Sequence, residues 1–317
     1  MTIAAADQGE PAAQLELAAL VNDSQLAPIV RGSAAQRLNP EAGGEPLASL
    51  IRGLADTDPL VRLGSIRAME DAPIALRTRQ LLPLLDDPLR SVRSLVASLL
   101  ADAAIPPSHQ TGFDRALREY EQELEINSDR AGHLGQLGML RLRQGRSGEA
   151  EEAWDRAIST EPLHVAAYLN LADLLRSQGR EKAAGRLLHD ALELMPEDGL
   201  LHYALGLSLV RQQQRDEALK HFREAWRLSP EDPRTGYILA VALESEAPKE
   251  ALELLTVASA RHPNNRELLW AGASFALRHG NQELARHYIE ALLQRDPADQ
   301  QALRLQRMTT DKMPAPH

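Results

Sequence analysis

The chain has 317 residues, of which 44% are hydrophobic and only 3% aromatic, and it carries a formal net charge of −10. That acidic balance argues against a general nucleic-acid binder, because neutralising phosphates takes a concentrated basic face and none is present. With no cysteine in the sequence, disulfides, thiolate zinc sites, a cysteine nucleophile and thioether haem attachment are all excluded within this chain.

The opening run, Met1 to Asp7, lacks the basic and apolar regions of a secretory signal, and no later run is long enough to span a membrane. As a complete product the chain is therefore expected in the cytoplasm. Thr2 to Ala6 and Gln14 to Val21 read as a helix pair. Val30-Arg31, Val61-Arg62 and Val92-Arg93 follow at intervals of 31 residues. Each opens a helix with one small or apolar face: Ala34 and Leu38, Ser65 and Met69, Val96 and Leu100. Asp58-Pro59 and Asp87-Pro88 stop one helix and start the next. Gly43-Gly44 is an ordinary turn, with neither a preceding strand nor a phosphate-loop lysine. Residues 105–112, containing Ile105-Pro106-Pro107, are expected to be a stiff spacer, with a packed elbow as the alternative.

Further on, Pro162, Pro196, Pro230, Pro263 and Pro297 are separated by 34, 34, 33 and 34 residues, the period of a helix-turn-helix repeat. Small residues at 138, 172, 206 and 240 are expected where the two helices of one repeat approach closely. Glycines 145, 179 and 280 end first helices by taking positive φ. Ala150, Ala184, Ala218, Ala251 and Ala285 let the second helix nest on the first. Trp154, Leu188, Phe222, Leu255 and Ile289 are expected to fill the gap to the next repeat. Ala116 and Tyr120 form half of an earlier copy, and Asp299 to Met308 reads as a capping helix.

This slot pattern resembles the tetratricopeptide repeat family, in five copies from about Ala131 to Pro297. The Asp-Pro and Val-Arg pattern over about residues 12–103 resembles the HEAT family. Together they imply an all-α fold, a right-handed α-solenoid of helix-turn-helix repeats. The implied division is HEAT-like repeats over 1–104, the spacer at 105–112, a tetratricopeptide array over 113–308 and a disordered tail over 309–317. The phrases Asp58-Pro59-Leu60-Val61-Arg62, Ile66-Arg67-Ala68-Met69-Glu70, Leu84-Leu85-Asp86-Asp87-Pro88 and Asn170-Leu171-Ala172-Asp173-Leu174 also resemble the C-terminal repeat region of bacterial multihaem c-type cytochromes. In that family an exported haem-bearing part lies upstream. That resemblance implies a periplasmic segment cut within its first repeat, with an upstream haem-bearing domain or partner.

Proteins of the tetratricopeptide family bind mainly on the face lined by first helices. The residues expected there are Leu169, Asn170, Asp173, Arg176, Tyr203, Leu207, Arg211, Tyr237, Val241 and Trp270. Tyr203, Tyr237 and Trp270 supply large, stiff contact surfaces; packing between adjacent first helices is the competing account. Arg143, Arg176, Arg211 and Arg278 edge the groove, either to meet acidic flanks of an apolar segment or simply as solvated charge. Asn170 stands where peptide-binding members grip a ligand backbone. The family's carboxylate clamp is not expected, since Gly135, Met139, Leu200 and Ala204 occupy its other places. Ten histidines show no paired spacing for a metal, although His279 and His287 could meet across helices. Glu149, Glu151 and Glu152 read as solvated charge. The expectation is a non-catalytic scaffold without cofactor or metal, taking a protein or peptide in its groove. The alternative is a docking module of a multihaem cytochrome.

Overall fold

The computed structural model describes residues 13–310, and among these every regular element is helical. The helix expected over Thr2 to Ala6 and the end of the tail, 311–317, lie outside the described residues. The described residues form two compact units, divided between residues 167 and 168.

The first unit holds α1 (Ala13–Asn22), α2 (Pro28–Ala35), α3 (Gly44–Leu54), α4 (Pro59–Ala68), α5 (Ile74–Leu81), α6 (Arg90–Leu99), α7 (Pro107–Ile126), α8 (Ala131–Arg143) and α9 (Ser147–Thr160). Its N-terminal core gathers the predicted face residues: Ala34, Leu38, Met69, Val96 and Leu100 are all buried. Helix α2 lies directly on α4, so close that a Cβ on Gly64 would sit 2.1 Å from the Gly32 carbonyl oxygen.

The arginine of each Val-Arg pair has a recurring task. Arg62 donates to the Asp56 and Thr57 carbonyls ahead of its own helix and reaches Asp87 at 2.8 Å. Arg93 repeats this with the Asp87 and Pro88 carbonyls and with Glu119. Arg31 pairs with Asp56. Arg62 and Arg93 thus tie the loop before their own helix to a carboxylate 25 or 26 residues further on, and Arg31 ties the Val21 carbonyl in the last turn of α1 to Asp56, also 25 residues on, a fork geometry that a lysine could not reproduce.

Residues 107–112 are the first turns of α7 rather than a spacer. The reason is local: Pro107 occupies the first helical turn, where a missing N–H costs nothing, and Pro106 supplies the extended cap. This elbow is packed, with Arg115 reaching the Leu85 carbonyl and Asp86.

The second unit contains most of α10 (Val165–Ser177), then α11 (Glu181–Leu194), α12 (Gly199–Arg211), α13 (Arg215–Leu228), α14 (Pro233–Leu243), α15 (Pro248–Arg261), α16 (Arg266–Arg278), α17 (Gln282–Arg295) and α18 (Gln300–Thr310). Thr309 and Thr310, assigned to the tail from sequence, continue the capping helix. Helices α9, α11, α13, α15 and α17 all end two residues before their proline. The intervening residues, Glu161, Met195, Ser229, His262 and Asp296, take φ between −123° and −134° with positive ψ. Steric exclusion of the helical region before proline produces that stop. First helices end at Gly145, Gly179 and Gly280 with φ of 73°, 74° and 77°, and Gln213 takes the same turn at φ 64°.

The bulky slots also close the crossing inside each repeat. The Trp154 ring covers Gly138 of its own repeat, where a Cβ would stand 2.5 Å from Nε1. Phe222 covers Gly206 in the same way, and Tyr288, one residue before Ile289, covers Gly272. Where the small residue is alanine, at 172 and 240, the corresponding large residue is Leu188 or Leu255, and all four are buried. Glycine therefore goes with an aromatic ring and alanine with leucine, which keeps the filled volume of each crossing nearly constant.

Candidate functional site

The predicted binding residues all lie in the second unit. Leu169, Asp173, Tyr203, Leu207 and Arg211 converge on a cavity of about 250 Å³ between α10 and α12. Leu200, Ala204 and Leu188 complete its apolar wall. Leu200 and Ala204 stand where a carboxylate clamp needs polar groups, so this pocket suits an apolar side chain instead. Asn170 and Arg176 do not line it.

Val241 belongs to a neighbouring cavity of about 310 Å³ beyond α12, formed with Val210, Leu219, Phe222 and Ile238. Tyr237 is half-buried and lines neither cavity. Trp270 is turned to another use, packing against the terminal cluster of Leu269, Ala273, Tyr288, Ile289, Leu292 and Ala302. The row of three aromatics is thus divided: one ring lines a cavity and another supports the cap.

Electrostatics also depart from the expected free basic edge. Arg176 pairs with Asp173 at 3.0 Å, Arg211 with Glu181 at 2.9 Å and Arg278 with Glu244 at 2.6 Å. In the first unit Arg143 pairs with Glu70 and donates to the Ser98 carbonyl. Burial would raise the Glu181 carboxyl, but hydrogen bonds from Arg211 and Ser208 outweigh it and hold the group below the usual carboxylate range. A ligand carboxylate would have to displace these in-chain acids, so the edge arginines contribute little to acidic recognition.

One wall residue was not legible as such. Arg234 lines the first cavity, places its guanidinium 5.8 Å from the Tyr203 ring centre and is fixed by Asp232, which also caps α14. Its signal was present in Asp232-Pro233-Arg234, a cap followed by proline that starts α14 and aims the next residue across the groove. Burial raises the Tyr203 phenol, leaving it an uncharged partner for that guanidinium.

Expected histidine meetings also change. His279 lies 3.6 Å from Glu244, while His287 stacks edge-on to Tyr288. It is His202 and His221 that meet. Among the described residues no three metal-ligating side chains converge, and no helix is long and apolar enough to cross a membrane.

Comparison with known proteins bears directly on these repeats. The family model described as tetratricopeptide repeat matches residues 136–199 and 203–266. Protein y4yS of Sinorhizobium fredii is 33% identical over 132 residues, spanning 39% of this chain and 72% of that protein. The chain belongs to the tetratricopeptide repeat family. Another member, the TPR repeat-containing protein PA4667 of Pseudomonas aeruginosa, is 27% identical over 194 residues, spanning 60% of this chain and 33% of that one. Among solved structures, yeast Tom70 matches 95% of this chain and 58% of its own with a TM-score of 0.54 and 17% identity, a likeness of fold alone. Of the longer curated relatives it matches, PA4667 and the human protein O-mannosyl-transferase TMTC3, the chain spans a third or less of the length. Tetratricopeptide repeats form a protein-interaction architecture, and this chain carries that architecture.

Proposed function

We propose that the chain is a non-catalytic scaffold that captures a protein or peptide segment on the first-helix face of its second unit. The observation that carries this reading is the cavity of about 250 Å³ walled by Leu169, Leu200, Tyr203 and Leu207, with Arg234 laid over the tyrosine. Its apolar lining fits one large aliphatic or aromatic anchor, and the cavity containing Val241 and Ile238 offers a second anchor point beyond α12. Affinity comes from apolar burial, and the ion-paired arginines orient polar groups at the edge. Tyr237, Asn170, Arg176 and Trp270 contribute flanking or supporting surface.

The N-terminal helices are HEAT-like in this reading, a view supported by the repeated arginine-to-carboxylate ties at 25 or 26 residues.

A random peptide library screened against the purified chain tests the groove. Selected peptides should share a bulky apolar residue. Leu207→Asp should weaken them by roughly tenfold to a hundredfold, the loss expected from about 1.5–3 kcal/mol of apolar burial. Unchanged affinity with Leu207→Asp would remove the site. Recovery of a c-type haem protein by the wild-type chain, and not by the variant, would instead favour the cytochrome-docking alternative.

A further inference from the structure

A different set of α12 side chains, Leu205, Leu209 and Gln212, floors a cavity of about 610 Å³ between α11 and α13. Two histidines in its wall touch. Nδ1 of His202 and Nδ1 of His221 are 2.9 Å apart, with ring centres at 5.1 Å. Nε2 of His202 lies 3.0 Å from the Pro196 carbonyl oxygen. A carbonyl only accepts, so His202 carries hydrogen on Nε2, and in the neutral ring its Nδ1 is a bare acceptor. His221 must therefore donate from Nδ1. The contact is a single hydrogen bond between two neutral rings, on different helices.

A second proton cannot be accommodated in this geometry. With both rings charged, both Nδ1 atoms carry hydrogens that face each other, and two cations sit in contact. We infer that the His202–His221 pair is a proton-operated latch: in the neutral pair one hydrogen bond holds α13 to α12 at the cavity wall, and protonation of both rings releases it. The charged groups around the pair support this. From α11 the cavity is faced by Lys182, Arg186, His189 and Glu193, and from α13 by Glu217. Glu217 draws charge onto His221, but it is itself ion-paired to Lys220 at 2.8 Å, and together burial, His202, His189 and Lys220 outweigh it; Glu193 lies 3.8 Å from His189. Burial, and then His202, push His221 below its ordinary value. With no third ligating side chain converging among the described residues, the proton rather than a metal is the ligand of this pair.

The sign of the pH effect follows. The folded state disfavours charge on His221, so the unfolded chain binds more protons as pH falls through about 6.5, and the latch weakens there. Amide hydrogen exchange of α12 and α13 in the full chain, corrected for intrinsic rates, should show an opening constant rising by up to roughly tenfold per pH unit below about pH 6.5. His221→Gln keeps a donor toward His202 and cannot take the second charge, so its exchange should be nearly independent of pH. An acid response in H221Q equal to that of the wild type overturns the latch. If H221Q does not fold, the wild type decides alone: a flat profile overturns the latch, and imidazole resonances showing His221 protonating below its ordinary range as α13 opens sustain it.

Discussion

Substituting Gly138 by alanine sets two opposed effects against each other, and the structure says which prevails. Alanine is worth about 1 kcal/mol over glycine inside a helix. Its Cβ, however, would stand 2.5 Å from Nε1 and 2.6 Å from Cε2 of Trp154, far inside contact distance. That ring has no exposed surface to retreat toward, and its Nε1 donates to the Gly135 carbonyl at 3.2 Å. Overpacking of this kind costs about 1–3 kcal/mol, and shifting the indole weakens a hydrogen bond worth about 1 kcal/mol. The net expectation for Gly138→Ala is a loss of about 1–3 kcal/mol. Trp154→Leu alone leaves a void and should cost about 2–4 kcal/mol. The double variant recreates the combination found at Ala172 and Leu188, so the two losses should fall short of adding by at least about 1 kcal/mol. Urea midpoints at constant slope, together with hydrogen exchange of α8 and α9, measure all three. Stabilisation by Gly138→Ala, or strict additivity in the double variant, would refute the argument that these positions are matched in volume.

Gln213→Gly should raise the urea midpoint, because φ of 64° costs a side-chain-bearing residue about 1–2 kcal/mol, only partly offset by the greater freedom of glycine in the unfolded chain; a lower midpoint would show that the glutamine makes a compensating contact. Asp87→Ala should cost about 3–5 kcal/mol, because Arg62, only 10% exposed, would be left charged and unpaired. Thermal unfolding checks this, and pairing Asp87→Leu with Arg62→Met should recover most of the loss.

What could be read from the sequence was what the backbone itself enforces. Proline spacing set the ends of α9, α11, α13, α15 and α17, since exclusion of the helical region before proline needs no knowledge of neighbours. Gly145, Gly179 and Gly280 marked turns for the same reason. Pairing across helices was less accessible. Tyr288 rather than Ile289 covers Gly272, because repeat period does not report how far each helix is rotated about its axis. The spacer at 105–112 was misread because the same two prolines that stiffen a linker also start a helix. At the candidate site, Tyr203, Leu207, Leu169, Asp173 and Arg211 line one cavity. The ion pairs that occupy Arg211 and Arg278, and the diversion of Trp270 to the cap, depend on partners roughly a whole repeat away. The His202–His221 contact did have a signal: its separation of 19 residues equals that of Gly135 and Trp154, which also touch.

The matching of glycine to ring and alanine to leucine limits how such a gene can be rearranged. Along the array the small partner alternates as Gly138, Ala172, Gly206, Ala240 and Gly272. An unequal exchange with its breakpoint in the loop after a complete second helix carries each matched couple intact. A breakpoint in the tight bend inside a repeat would instead set alanine beneath tryptophan, which is overfull, or glycine beneath leucine, which is hollow. Viable recombinants should therefore have their junctions beside the prolines and not beside the positive-φ bends.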